Sequence, residues 1–96
     1  MQPDRVYEIR RAILGIFKEY NGPLKFDDLF NHPSFVFIKP SRAEALEEWN
    51  ALLANEFIQP LRGSGGEYLT LPAKGRNQIN REGDLDPFIW GKHGLR

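Results

Sequence analysis

One glycine-rich turn, Arg62-Gly63-Ser64-Gly65-Gly66, does most to limit what this chain can build. The runs on either side, Phe57-Ile58-Gln59-Pro60-Leu61 and Glu67-Tyr68-Leu69-Thr70-Leu71, read as strands, so turn and flanks make one β-hairpin. Pro60 cannot donate to a ladder, which places the first strand at an edge or a bulge. Upstream the apolar residues recur at helical intervals instead, and 96 residues leave room for one hydrophobic core. The fold class that follows is α+β, mainly helical.

Val6, Ile9, Ile13, Phe17 and Tyr20 are spaced three and four apart, which predicts an amphipathic helix over residues 4–20. Pro3 and Asp4 open it, and Asn21-Gly22-Pro23 stops it. Lys25 to Phe30 predicts a short second helix with Asp27 or Asp28 near its N-terminus. Adjacent carboxylates diverge by about 100° on a helix, so these read as capping groups rather than a metal or acid–base pair. The stretch "NHPSFVFIKP", residues 31–40, holds four consecutive apolar residues between two prolines and predicts an extended piece or an irregular helical turn. Were it extended, Phe35 and Phe37 would point to opposite sides, leaving one of them outside the core.

Ser41 and Glu44 form a capping-box pattern for a third helix. On its wheel Ala45, Leu46, Trp49, Leu52 and Leu53 gather on one side, with Glu44, Glu47, Glu48, Ala51 and Asn55 on the other. Asn55 is expected to end it in a left-handed conformation. Pro72 begins a fourth short helix with Ile79 facing inward. The tail from Arg81 is rich in glycine and charge but carries the apolar trio Phe88-Ile89-Trp90.

Several function classes receive no support. Without cysteine there is no disulfide framework and no thiolate for metal binding or nucleophilic attack. His32 and His93 stand alone, and Ser64 sits in a hairpin rather than a strand-to-helix nucleophile turn. No enzyme activity, cofactor or metal is expected. No run approaches a membrane span, and Met1 precedes polar residues, so the expected location is cytoplasmic.

The succession of helix, helix, helix, hairpin and short helix is that of a winged helix-turn-helix domain, a three-helix core plus a β-hairpin wing. Locally, "LLANEFIQPLRGSGGEYLTLPAKGR", residues 52–76, resembles bacterial winged-helix regulators of the MarR and PadR type. In those regulators a leucine-threonine-x-lysine-glycine-arginine phrase opens the helix after the wing. Here it stands as Leu71-Pro72-Ala73-Lys74-Gly75-Arg76, with Pro72 in the threonine's place. Glu56 occupies a position where those regulators usually carry glycine, and the second and third helices are joined by ten residues instead of a three- or four-residue turn. The resemblance implies a winged-helix domain over residues 1–81, followed by a tail over 82–96. It also implies DNA binding in prokaryotic transcriptional control, with a homodimer as the usual working state.

In that reading DNA would meet Arg42 and Asn50 on the third helix, Arg62 and Ser64 in the wing, and Lys74 and Arg76 at the fourth helix. Arg5, Arg10 and Arg11 on the first helix would offer a second basic surface. The charges point elsewhere. Thirteen basic residues balance thirteen acidic ones, whereas a nucleic-acid binder usually shows a basic excess. Residues 41–56 hold one cation against four anions, so the helix expected to enter the groove is the most acidic part of the chain. The alternative is a winged helix used as a protein-interaction or assembly module. Its contacts would be Phe35, Phe37, Glu44, Glu47, Glu48, Phe88 and Trp90.

Overall fold

The computed structural model describes residues 3–91. Helix α1 (Pro3–Tyr20) is followed by a 3-10 segment (Phe26–Asn31), α2 (Pro33–Ile38), α3 (Arg42–Ala54), β1 (Gln59–Pro60), β2 (Leu69–Thr70), α4 (Ala73–Asn80) and α5 (Pro87–Trp90). The strands are antiparallel, with Gln59 opposite Thr70 and Pro60 opposite Leu69. Leu24, between α1 and the 3-10 segment, adds a third rung by exchanging both backbone hydrogen bonds with Leu69, at 3.0 and 2.9 Å. The architecture is mainly helical with one small sheet, as the single hairpin signal required.

Helix α1 is the hub. It touches α2, α3, α4 and α5 and buries Ile9, Ile13, Leu14, Ile16 and Phe17. Phe17 stacks on Trp49 of α3 with centroids 5.6 Å apart, and Phe26 meets Trp49 edge-on at 5.6 Å. Phe26 meets Phe30, and Phe30 meets Phe35 of α2, in further edge-on pairs. Each such pair adds about 0.5–1.5 kcal/mol beyond burial. The aromatic chain thus ties α1, α3, the 3-10 segment and α2 into one core.

The apolar stretch 35–38 is helical because its ends are capped. His32 accepts the Ser34 N–H at Nδ1 (3.1 Å), Pro33 occupies the first turn, and Lys39 closes the helix in the left-handed region (φ 53°). A nitrogen that accepts at Nδ1 leaves Nε2 as the donor, and it faces Glu19 Oε2 at 3.0 Å. A helix cannot turn four consecutive residues toward one core. Phe35 is buried, Ile38 is half-buried, and Val36 and Phe37 face outward.

Several expectations need correction. Tyr20, at the end of α1, is exposed rather than part of the stripe's buried face. Helix α3 is rotated from its expected orientation: Glu48 is buried beside Ala45, Trp49 and Leu52, while Leu46 is 43% exposed. Asn55 keeps a negative φ, and the left-handed residue is its neighbour Glu56 (φ 64°). The strands shrink to two residues each, and Phe57 and Ile58 turn into the core instead. The tail, whose packing the sequence leaves open, docks on its own domain. Ile89 is fully buried, and Phe88 stacks on Phe57 at 5.7 Å with an interplanar angle of 9°. Gln78 is the unforeseen clamp behind this docking. It is 5% exposed, donates to Asp84 O (2.9 Å) and accepts from Asp86 N–H (2.8 Å). His93 lies outside the described residues.

Two glycines should respond oppositely to alanine. A Cβ on Gly75 would lie 2.1 Å from the Phe57 carbonyl oxygen and 2.7 Å from Leu71 Cδ1, whereas one on Gly15 meets nothing within 4 Å. Urea denaturation should show Gly75→Ala destabilised by about 1–3 kcal/mol. Gly15→Ala, within α1, should gain about 0.5–1 kcal/mol.

Candidate functional site

The carboxylates of α3 are counterions for α1. Arg5 donates to both oxygens of Glu44, from Nε at 2.9 Å and Nη2 at 3.3 Å. It also reaches the carbonyls of Ile38 (3.3 Å) and Lys39 (3.2 Å), so one guanidinium holds the end of α2 against the start of α3. Five residues on, Arg10 donates from Nε to Glu48 Oε1 (2.7 Å) and from Nη1 to the Phe88 carbonyl (2.7 Å). Its guanidinium lies over the Phe88 ring, 3.8 Å from the centroid. With side chains 16% and 5% exposed, Arg10 and Glu48 form an internal pair. Of the three carboxylates expected on an exposed face, only Glu47 is free at the surface.

This pairing changes both charge arguments. The exposed positions of α3 from Ala43 onward are Ala43, Leu46, Glu47, Asn50 and Ala54, a nearly neutral surface. Yet the cations that would have formed a basic face are engaged as well. Arg42 pairs with Asp27 at 2.7 Å and lies over Phe26, and Arg11 and Arg81 lie over the Trp90 ring. Lys74 donates to Asn55 O (2.7 Å) and lies over Phe57. Ser64 is occupied in the hairpin turn, its hydroxyl donating to Leu61 O at 2.8 Å. Arg62 and Arg76 are exposed in the hairpin turn and on α4. Arg10 and Arg11 are turned to Glu48 and to the Phe88 and Trp90 rings.

The apolar surface is better defined. Phe37 is 89% exposed and Val36 60%, side by side on α2. Three adjoining hollows meet at Pro33. One is lined by Asn31, Val36, Phe37 and Lys39; a second by Glu8, Arg11, Ala12, Phe37 and Ile38; a third by Ile16, Tyr20, Leu24 and His32. Tyr20, Pro33, Val36 and Phe37 therefore lie along one band over α1 and α2. Of the expected contact residues, Phe37 lies in this band and Glu47 is exposed on α3. Phe35 is core, Glu44 and Glu48 are paired, and Phe88 and Trp90 are half-buried beneath arginines. The sequence signal for Phe37 was the unbroken apolar run, too long for one helical face. Tyr20 was missed because its spacing matched the buried stripe.

Among the described residues no three His, Asp or Glu side chains gather as a metal site, and no helix is long and apolar enough to cross a membrane. Compared with protein-family models, curated proteins and solved structures, the chain matches none.

The Arg5–Glu44 contact has a pH signature. The Arg5 hydrogen bond first, then the Ser41 N–H, hold the Glu44 carboxyl down at about 2 from an ordinary 4.5, against the opposing effect of burial. A carboxyl depressed in the folded state contributes stability above its unfolded value, and that contribution is lost as pH falls through the folded one. Urea midpoints from pH 6 to pH 2 should therefore show Glu44→Gln less stable than wild type at pH 6. The gap should close between about pH 4.5 and 2.

Proposed function

We propose that this chain is a winged-helix domain, of the kind found in MarR and PadR regulators, that works as a protein-interaction or assembly module rather than a DNA reader. Three features support the winged-helix part. Gln59–Pro60 and Leu69–Thr70 pair antiparallel as a hairpin, as the wing of that fold would. Glu56 holds the left-handed conformation where the regulators carry glycine. Gly75, the glycine of the Lys-Gly-Arg phrase, lies where the Phe57 carbonyl excludes any side chain.

The observation that carries the functional part is the ring of Phe37, 89% exposed beside Val36. Contiguous exposed apolar surface on a small domain marks an interaction site. The charge distribution points the same way. DNA affinity comes from cations free to displace counterions at phosphates, and α1 commits Arg5 and Arg10 to carboxylates of the same chain.

Two measurements test this reading. Fluorescence anisotropy with labelled random-sequence duplex, in a salt series starting at low ionic strength, should show no saturable binding. Affinity that falls steeply with salt and weakens in Arg62→Ala or Arg76→Ala would replace this reading with DNA binding through the wing. Phe37→Asp should unfold within about 0.5 kcal/mol of wild type, as an exposed side chain outside the core does. A large loss of stability would place Phe37 in the core and remove the contact surface.

A further inference from the structure

We infer that His32 is a proton-sensitive latch for α2: its neutral ring caps the helix, and protonation of the ring releases the cap. The inference concerns α2 itself and holds whatever the Phe37 surface touches. The first turn of a helix has N–H groups without partners inside it. In α2 Pro33 carries no N–H, and the Phe35 and Val36 N–H groups both donate to the His32 carbonyl, at 3.0 and 3.2 Å. That leaves the Ser34 N–H, which the His32 ring accepts at Nδ1, 3.1 Å away. A ring nitrogen accepts only while it carries no proton. A proton on Nδ1 would set two donors against each other, so the ring must turn away and leave the Ser34 N–H unmet.

The surroundings let the ring take up that proton. Glu19 Oε2 of α1 lies 3.0 Å from Nε2, and the hollow around the ring also holds Tyr20 of α1 and Asp28 of the 3-10 segment. Asp28 already receives the Lys25 N–H at 2.9 Å. Among the described residues no cation lines this hollow, and α2 itself carries no charged side chain. The two sides of the ring therefore favour opposite states. The carboxylate at Nε2 favours the imidazolium, whereas the amide at Nδ1 needs the neutral imidazole. Glu19 is 73% exposed, and a pair so open to solvent is worth too little to replace the cap. Imidazole changes charge between about pH 8 and pH 5, so the cap is present at the upper end of that range and lost toward the lower. Phe35 stays in the core and Lys39 still closes the far end, so the release loosens the first turn rather than the fold. Val36 and Phe37 follow that turn. The apolar surface of α2 is thus held at neutral pH and loosened in acid.

The test is nuclear magnetic resonance on the full chain, wild type and His32→Asn, between about pH 8 and pH 5. Ring-nitrogen shifts report which nitrogen holds the proton, and the variant separates the His32 signals from those of His93. Hydrogen exchange at the Ser34 and Val36 amides reports the first turn of α2, each rate taken relative to the unstructured chain at the same pH. At about pH 8 the His32 ring should carry its proton on Nε2 alone. As the ring charges, protection of both amides should fall about fivefold or more, the usual weight of a lost N-cap. His32→Asn should keep its protection throughout, because asparagine caps a helix and does not titrate. A neutral ring with its proton on Nδ1, or a ring that stays neutral down to about pH 5, would overturn the latch. So would a charged ring with α2 protection intact, or an equal loss of protection in His32→Asn.

Discussion

Arg10 holds three parts of the molecule in register. From the middle of α1 it bonds Glu48 of α3, accepts a place over the Phe88 ring, and donates to the Phe88 carbonyl of α5. Phe88 in turn stacks on Phe57, where the chain leaves α3 for the hairpin. A buried ion pair of this kind is weak evidence for stability, since desolvation offsets much of the attraction. Its geometric effect is clearer. A rotation of α3 that exposed Glu48 would leave Arg10 without its carboxylate, so the pair selects the face that α3 turns inward. With that face chosen, Leu46 points outward and Trp49 meets Phe17 and Phe26.

The second arginine extends this control to the surface. Arg5 grips Glu44 and the last carbonyls of α2 together, while the Phe30–Phe35 contact fixes α2 from beneath. Phe37 is therefore presented by a short helix anchored at both ends, not by a loose loop. A rigid apolar anchor loses little conformational freedom on binding. The acidity of α3 has a structural cause: two of its carboxylates neutralise arginines of the same chain, which removes both a repulsion against DNA and much of the basic surface that would attract it.

Much of this was legible in the residues. The α1 stripe, the Ser41–Glu44 capping box, the single hairpin and the short helix after Pro72 all follow from local chemistry, and local chemistry formed them. The failures share a different origin. Periodicity alone put Leu46 inward and Glu48 outward, because a helical wheel counts hydrophobicity and cannot see an arginine arriving from α1, 38 residues away. The run 35–38 was ambiguous between strand and helix until the His32 and Lys39 caps decided it. The Gln78 clamp depends on backbone groups of residues 84 and 86, which carry no signature in sequence. Of the exposed apolar surface, Phe37 was readable as a surplus apolar residue. The band joining it to Tyr20 through Pro33 was not, since it exists only once α1 and α2 lie side by side.

The account stands on the acidic helix being an internal counterion, and a double-mutant cycle on Arg10 and Glu48 tests that most directly. Urea unfolding would be measured for wild type, Arg10→Met, Glu48→Leu and the double variant. Each single change should lose about 3 kcal/mol or more, because each leaves a charge buried without its partner. The double variant should lose clearly less than the two combined, with a coupling above about 1 kcal/mol. Losses that add within about 0.5 kcal/mol would show two independent side chains. The carboxylates of α3 would then have no structural claim on the arginines of α1.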